Sequence, residues 1–179
     1  MNLEVLEDGI TTGLSVRNGA FLAEAASICL NHHNHGIQIN FVVEGYIEEK
    51  YALTRLQVTE FSLSSFADLE EAVQFGAMGI AVALINQQTG WIAKRSWKGT
   101  GFDYWFGFKD ESYPFQDKLR VEVSGDLKGT DSEMNTRLLN KLSQTKKSDD
   151  LNIPAYAVIV EFSNPKSLTG ARWIKKKTK

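Results

Sequence analysis

Two carboxylates, Asp103 and Glu122, occupy polar positions in segments that alternate between apolar and polar side chains. The alternation is strict in LRVEVSGD (119–126), which predicts a strand with Glu122 on its polar face. In FDYWFGF (102–108) the same alternation places Asp103 on one face of the strand and four aromatic side chains on the other. If the two strands are neighbours, which the connecting loop permits, we expect Asp103 and Glu122 to converge on one side of a sheet.

Two carboxylates held close together repel each other, and the pKa of one rises unless a cation lies between them. A hard divalent ion such as Mg²⁺ is the usual solution, because it binds one or two carboxylates and keeps several waters. Asp103 and Glu122 are therefore candidate ligands of Mg²⁺ or Mn²⁺. The alternative is that both are ordinary residues on the polar faces of their strands, and the spacing leaves that alternative open.

The elements that would position these residues follow from periodicity and from capping signals, such as Gly90 after the longest helical pattern and Thr130 with Glu133 at capping-box spacing before the next. The longest helical pattern is rich in small residues, which allow another backbone to approach closely. We therefore expect that helix to lie directly against a sheet. The predicted elements are a helix over 18–33 capped by Asn18, a hairpin of strands 37–45 and 50–61, a helix over 66–88, strands over 91–97, 102–108 and 118–125, a helix over 132–146, and a nearly continuous apolar strand over 155–163. The fold class is thus α+β with a mixed sheet flanked by helices.

From residue 66 onward the predicted order is helix, strand, strand, strand, helix, strand, with an Asp early in the second strand and a Glu within the third. This arrangement resembles the PD-(D/E)xK restriction-endonuclease-like superfamily. The resemblance implies a core over 66–163, Mg²⁺ held by Asp103 and Glu122, and a lysine two residues after the Glu that helps to activate the attacking water.

The chain departs from that signature, because the lysine position holds Ser124. Lys98, Lys118 and Arg120 are candidates to replace the missing lysine, and the Ser124 hydroxyl is a candidate to hold a water. The latter two cations share the face of Glu122, and the alternative for them is a solvated strand face.

The resemblance also implies an acidic residue on the first core helix. Glu70 is the best candidate, although such residues more often form the solvated edge of an amphipathic helix. The loop KGTG (98–101) resembles a phosphate cradle, because glycines free backbone N–H groups to face an anion; a plain turn between strands is the alternative.

Composition limits the classes of protein to consider. With 179 residues and a net charge of −2, the chain is expected to form one domain without the strong positive field of a nucleic-acid coat. Cys29 stands alone, which excludes an intrachain disulfide, and the N-terminal segment lacks the pattern of a signal peptide. We therefore expect a cytoplasmic protein without a membrane span.

The sequence predicts a single domain, 1–179, in which 1–65 is an N-terminal helix and hairpin, 66–163 the nuclease-like core, and 164–179 a C-terminal strand with a basic tail. The expected function is divalent-metal-dependent hydrolysis of phosphodiester bonds in nucleic acid. The alternative is a non-catalytic protein-interaction module, such as an immunity or defence-system accessory protein, whose partner is another protein.

Overall fold

The computed structural model describes residues 1–110 and 118–173, and one mixed sheet runs through them. The strands of this sheet are β1 (Gln38–Gly45), β2 (Glu49–Thr54), β3 (Ile92–Arg95), β4 (Tyr104–Gly107), β5 (Leu119–Asp126), β6 (Ala155–Glu161) and β7 (Lys166–Arg172). Their order across the sheet is β2-β1-β7-β6-β5-β4-β3. The α+β class predicted from the sequence is confirmed.

Helices cover this sheet. They are α1 (Val16–His32), α2 (Glu60–Ser65), α3 (Leu69–Thr89) and α4 (Asp131–Gln144), with 3₁₀ helices at Leu3–Asp8 and Thr145–Leu151. Gly125 of β5 lies against α3, where a Cβ would come within 2.6 Å of the Val73 carbonyl oxygen. Glu122 of the same strand contacts Lys141 of α4. Because alternate residues of a strand face opposite sides, α3 and α4 pack on opposite faces of β5.

Strands β3, β4 and β5 form an antiparallel meander, and α4 then connects β5 to the parallel strand β6. β7 returns antiparallel to β6 and pairs in parallel with β1, so the N-terminal hairpin extends the same sheet. Every residue of β6 is buried, as its continuous apolar sequence predicts. The predicted order of elements after residue 66 is present.

Helix α3 is the apolar centre of the domain. It is long and apolar enough to cross a membrane, with a mean hydropathy of 1.2 over its most apolar 18 residues. However, 67% of that stretch is buried inside the protein. Core helices of soluble domains pass the same test. Residues Ala72, Ala77 and Ile80 to Ile85 are among those it buries, so the structure is that of a soluble α+β domain.

The start predicted for α1 needs correction, whereas the predicted packing of α3 directly against the sheet is confirmed. The cap of α1 is Ser15, whose side chain accepts a hydrogen bond from the Asn18 amide, so the helix begins earlier than predicted. Gly76 and Gly79 face α1 rather than the sheet, and a Cβ on either would lie 2.8 Å from α1 backbone atoms. Small residues thus bring α3 close to α1 at Gly76 and Gly79 and close to the sheet at Ala77, which lies against Gly125 of β5.

The strand predicted over 50–61 ends at Thr54. The chain then forms α2, which Thr59 opens with a capping box to Ser62. Helix α2 includes the segment SLSS (62–65), and α3 begins after its N-cap residue, Asp68. Local side-chain capping therefore overrides the alternation that suggested a longer strand.

Other local predictions are confirmed. Thr130 and Glu133 form the capping box that opens α4. Gly90 ends α3 in the left-handed conformation. Cys29 is buried, and burial raises the pKa of its thiol to about 12, which leaves it unreactive. The C-terminal lysines predicted to extend into solvent lie in 174–179, outside the described residues.

Candidate active site

Asp103 and Glu122 lie at the junction of two paired strands. Tyr104 pairs with Val121 in the antiparallel β4–β5 ladder, which places Asp103 next to Glu122 on the adjoining strand. Just before β4, the Asp103 amide donates to the Val121 carbonyl oxygen at 2.8 Å. Its carboxylate in turn accepts a hydrogen bond from the Val123 amide at 2.9 Å. The predicted pairing of these strands is confirmed.

Both carboxylates line a cleft of about 740 Å³ between α3, β5 and α4. The cleft is walled by side chains of mixed charge: Glu70 and Gln74 from α3, Ser124 from β5, and Arg137, Lys141 and Gln144 from α4. Glu122 is only 3% exposed and forms the floor, whereas Asp103 is partly exposed. The cleft thus gives a water or a small cation access to the carboxylate pair.

Each carboxylate has a cationic neighbour. The Lys141 ammonium donates to Glu122 Oε1 at 2.6 Å. An Arg95 guanidinium nitrogen lies 3.3 Å from Asp103 Oδ1. At the rim, Arg137 pairs with Asp126 at 2.8 Å and donates to the Ser124 hydroxyl at 3.4 Å. The site is thus an alternating set of acids and bases rather than a purely acidic pocket.

The pKa of Glu122 is raised to about 7. Burial is the largest cause, followed by the negative charge of Asp103, and the hydrogen bond and charge of Lys141 act in the opposite direction. A carboxyl that titrates near neutrality in a solvent-accessible cleft is the kind of group found at functional sites.

The three cations predicted to replace the missing lysine lie elsewhere or at the margin. Arg120 is completely buried and donates to the carbonyl oxygens of Ile153 and Thr145 and to Asp149, so the predicted solvated or catalytic position is wrong for it. The Lys118 ammonium lies 4.6 Å from the ring centroid of Phe108.

Lys98 is exposed and lines a smaller depression of about 270 Å³, which Asp103 and Glu122 also line. Glu70 lies at the exposed start of α3 and lines the main cleft, as does Ser124. The structure therefore brings together Asp103, Glu122, Ser124 and Glu70 around one cleft, with Lys98 beside it.

Lys141 was not predicted from the sequence. Arg137, Lys141 and Gln144 follow one another at steps of four and three residues on α4, so they share one face of that helix. That spacing was the available signal. The spacing does not show which face of α4 points toward β5. That orientation is set by packing on the sheet, where Leu138 and Leu142 of α4 lie against Gly170 of β7.

Among residues 1–110 and 118–173, no group of three or more His, Cys, Asp or Glu side chains is arranged to hold a metal ion. The pair Asp103 and Glu122 supplies two oxygen ligands, which is within the range that Mg²⁺ sites use when waters and substrate phosphates complete the shell.

No protein-family model, no curated protein and no solved structure matches the chain. The chemistry of the cleft is therefore the basis for any function assigned to the protein.

Proposed function

We propose that this protein is a divalent-metal-dependent nuclease that hydrolyses phosphodiester bonds at the Asp103–Glu122 cleft. The observation that carries the proposal is the buried Glu122 carboxyl, which is adjacent to Asp103 and in contact with Lys141 at the floor of an open cleft. Two acids and a lysine in such proximity resemble the ligand and water-activating groups of the PD-(D/E)xK superfamily.

The arrangement of elements supports the same proposal. Helix α3 precedes an antiparallel meander, and α4 leads to a strand parallel to the third strand of that meander. This order is similar to the one expected of a restriction-endonuclease-like core, with Asp103 directly before β4 and Glu122 within β5.

The two carboxylates fit a divalent cation, because the buried Glu122 lies beside Asp103 and a cation between them would remove the repulsion of their charges. Bound there, Mg²⁺ would polarise a phosphoryl oxygen and stabilise the negative charge that develops on it. Asp103 and Glu122 would hold the ion, and their own contacts to the Val123 amide and to Lys141 orient them toward the cleft.

Lys141 takes the part of the lysine that the signature places at Ser124. Its ammonium lies at the carboxylate pair, where it can hydrogen-bond an attacking water and the transition-state phosphate. Ser124 adds a hydroxyl that can position a water, and Glu70 adds a carboxylate at the cleft entrance. The lysine has thus moved from the strand to the helix that packs on it.

The test combines calorimetric titration of Mg²⁺ and Mn²⁺ with a nuclease assay on single- and double-stranded DNA and RNA. We expect metal binding and metal-dependent cleavage in the wild type, loss of both in Asp103→Asn and Glu122→Gln, and retained metal binding with cleavage reduced by at least about 100-fold in Lys141→Met. Lys50→Ala, an exposed charge on β2, is the matched control and should behave as the wild type.

A second candidate function has its own supporting observation. Arg95 and Lys141 already neutralise Asp103 and Glu122 without a metal, and the chain carries a net charge of −2. A non-catalytic protein-interaction module, such as an immunity or defence-system accessory protein, would keep these ion pairs as structure. Absence of a binding heat at millimolar Mg²⁺ and Mn²⁺, together with absence of cleavage, would favour this alternative.

We also propose a cytoplasmic location. The proposal rests on cysteine usage, because the one cysteine of the chain, Cys29, is a free and buried thiol.

A further inference from the structure

A second cavity, of about 420 Å³, lies where α1 and α3 meet the edge of the sheet at β3 and β4. Lys94 and Arg95 are the charged residues of its wall, and within the described part of the chain no acidic residue lines it. Most of the remaining wall is apolar, and it includes Leu14, Leu22, Phe75, Met78 and Tyr104. The cavity therefore combines an apolar interior with positive charge at one side.

One layer of side chains separates this cavity from the Asp103–Glu122 cleft. Met78 lines both spaces. Arg95 lines the cavity, and its Nη1 atom lies 3.3 Å from Met78 Sδ and 3.3 Å from Asp103 Oδ1. A single guanidinium thus borders the cavity on one side and neutralises a carboxylate of the cleft on the other.

We infer that the cavity binds a small amphipathic carboxylate, whose apolar body lies between α1 and α3 and whose carboxylate takes the Arg95 guanidinium from Asp103. The site is distinct from the Asp103–Glu122 cleft, and it stands whether or not the cleft cleaves nucleic acid. Its occupant regulates the cleft, because Asp103 is then left without its cationic neighbour.

The ion pair between Arg95 and Asp103 is suited to such an exchange. The Arg95 side chain is 49% exposed, and ion pairs that water reaches in this way contribute little to stability. The distance of 3.3 Å is also longer than the roughly 2.8 Å of a strong charge-assisted hydrogen bond. A ligand carboxylate that is free to orient itself can form a shorter contact to two guanidinium nitrogens at once.

Tyr104 keeps the guanidinium at the cavity wall. The Arg95 Cζ atom lies 4.8 Å from the centroid of the Tyr104 ring, which is only 2% exposed and therefore fixed in the core. This cation–π contact does not depend on which carboxylate the guanidinium pairs with. Arg95 can therefore exchange Asp103 for a ligand without leaving the face of the ring.

The apolar part of the cavity is formed before any ligand arrives. Gly13 has φ of 79°, and a Cβ there would lie 2.8 Å from the Ala93 carbonyl oxygen, so only glycine allows the loop before α1 to lie this close to β3. The Ala93 amide donates to the Thr12 carbonyl oxygen at 2.7 Å and fixes the loop there. On the other side, the rings of Phe75 and Phe21 pack with their centroids 4.8 Å apart.

The volume limits the size of the ligand. Pockets that enclose small molecules span roughly 300–1,000 Å³, and this cavity lies near the lower end of that range. One aromatic ring or a short alkyl chain with a single acid group matches both the volume and the single guanidinium beside it.

Three matched probes test the site: 3-phenylpropionate, the uncharged 3-phenylpropanol, and acetate, which has the charge without the apolar body. Each is titrated into the full chain by calorimetry at pH 8 and low salt, without metal. We expect 3-phenylpropionate to bind with a Kd on the order of 0.1–1 mM. The other two probes should bind at least about tenfold more weakly, because each lacks one of the two contacts.

Substitutions locate the binding. Arg95→Met should weaken binding of 3-phenylpropionate at least about tenfold. Asn18→Trp, at an exposed position of the wall, should block the cavity and have a similar effect while leaving Arg95 in place. Arg17→Met is the matched control, because Arg17 is an exposed arginine of α1 that does not line the cavity, and it should change the affinity less than twofold. Unfolding temperatures show that each variant is folded.

Asp103→Asn tests whether the ligand and the cleft share one guanidinium. The variant removes the competing charge, while its side-chain oxygen can still accept the hydrogen bond of the Val123 amide. Binding of 3-phenylpropionate should therefore become about 3- to 10-fold tighter.

Three results would contradict the inference. Absence of a binding heat for 3-phenylpropionate at millimolar concentration would remove the site. Equal affinities for 3-phenylpropionate and 3-phenylpropanol would show that Arg95 does not recognise the carboxylate. Unchanged affinity in Asp103→Asn would show that the cavity does not act on the cleft through Arg95. None of these results bears on cleavage of nucleic acid, which the metal titration and the nuclease assay test separately.

Discussion

Arg120 and Glu122 lie two residues apart on the same face of β5, and both are almost completely buried. Their surroundings differ. Arg120 is enclosed by acceptors, namely two backbone carbonyl oxygens and Asp149, and it has no access to the cleft. Glu122 meets one lysine and a second carboxylate, and it faces an open space.

The two residues also differ in how they can respond when a partner is lost. Burial lowers the pKa of Arg120, but a guanidinium starts so high that it stays charged at any ordinary pH. The pKa of Glu122 is raised to about 7, so this carboxyl can take up a proton near neutrality. A closed, permanently charged contact is typical of structure, whereas an open, titratable one is typical of a site that binds something else.

The largest effect is expected at Arg120. Arg120→Met leaves the carbonyl oxygens of Ile153 and Thr145 without this donor, while Asp149 keeps its ion pair with Arg172, and we expect the free energy of unfolding to fall by about 3–5 kcal/mol. Urea unfolding followed by far-UV circular dichroism measures this. Lys118→Met, directly before the same strand, is the control and should shift the free energy by less than about 1 kcal/mol. Equal effects of the two substitutions would show that Arg120 is not the structural member of the pair.

A pH-dependent effect of intermediate size is expected at Glu122. Its folded pKa of about 7 lies above the ordinary value of 4.5, so the folded state binds more protons between these values and stability falls as the pH rises through that window. The decrease should be on the order of 2–3 kcal/mol, and it should be complete above about pH 7.

Glu122→Gln removes this titration, so the difference in unfolding free energy between wild type and variant should change from pH 4.5 to 7 and stay level outside that range. Above pH 7 in the absence of metal, the variant should be as stable as the wild type or more stable. A difference that is flat over the whole range would contradict a raised pKa at Glu122.

A smaller effect is expected at Lys141, because Glu122 can escape an unpaired charge by protonation. Lys141→Met removes the cation that lowers the pKa of Glu122, so that pKa should rise further. The variant should lose about 1–2 kcal/mol of stability at pH 8 and clearly less at pH 5, where Glu122 is protonated in both proteins. Equal losses at pH 5 and pH 8 would mean that Lys141 acts through packing alone.

Much of this site could be predicted because it depends on parity within strands. Strict alternation around Glu122, together with Asp103 on the preceding strand and a loop long enough to connect them, was sufficient to predict neighbouring strands with both carboxylates on one side. The capping box of Thr130 and Glu133 similarly gave the start of α4.

The unpredicted parts depend on how elements pack on one another. Lys141 reaches Glu122 only because α4 turns that face toward β5, and Arg120 is buried only because the 3₁₀ helix after α4 brings Asp149 and the Thr145 carbonyl oxygen to it. Gly76 and Gly79 likewise signalled a close approach without showing that α1 is the neighbour. Neither helical periodicity nor composition shows which neighbour each face of a helix contacts.

The hydrogen bond from the Val123 amide to Asp103 Oδ2 provides the site with an observable of its own. Because this amide belongs to the ordered ladder of β5, it should give a resolved backbone resonance, and the charge on Asp103 acts directly on its proton. The ¹H–¹⁵N chemical shift of Val123 should therefore follow the titration of the neighbouring Glu122 and occupation of the cleft. The backbone of a buried strand thus serves as a spectroscopic reporter for side chains that carry no signal of comparable clarity.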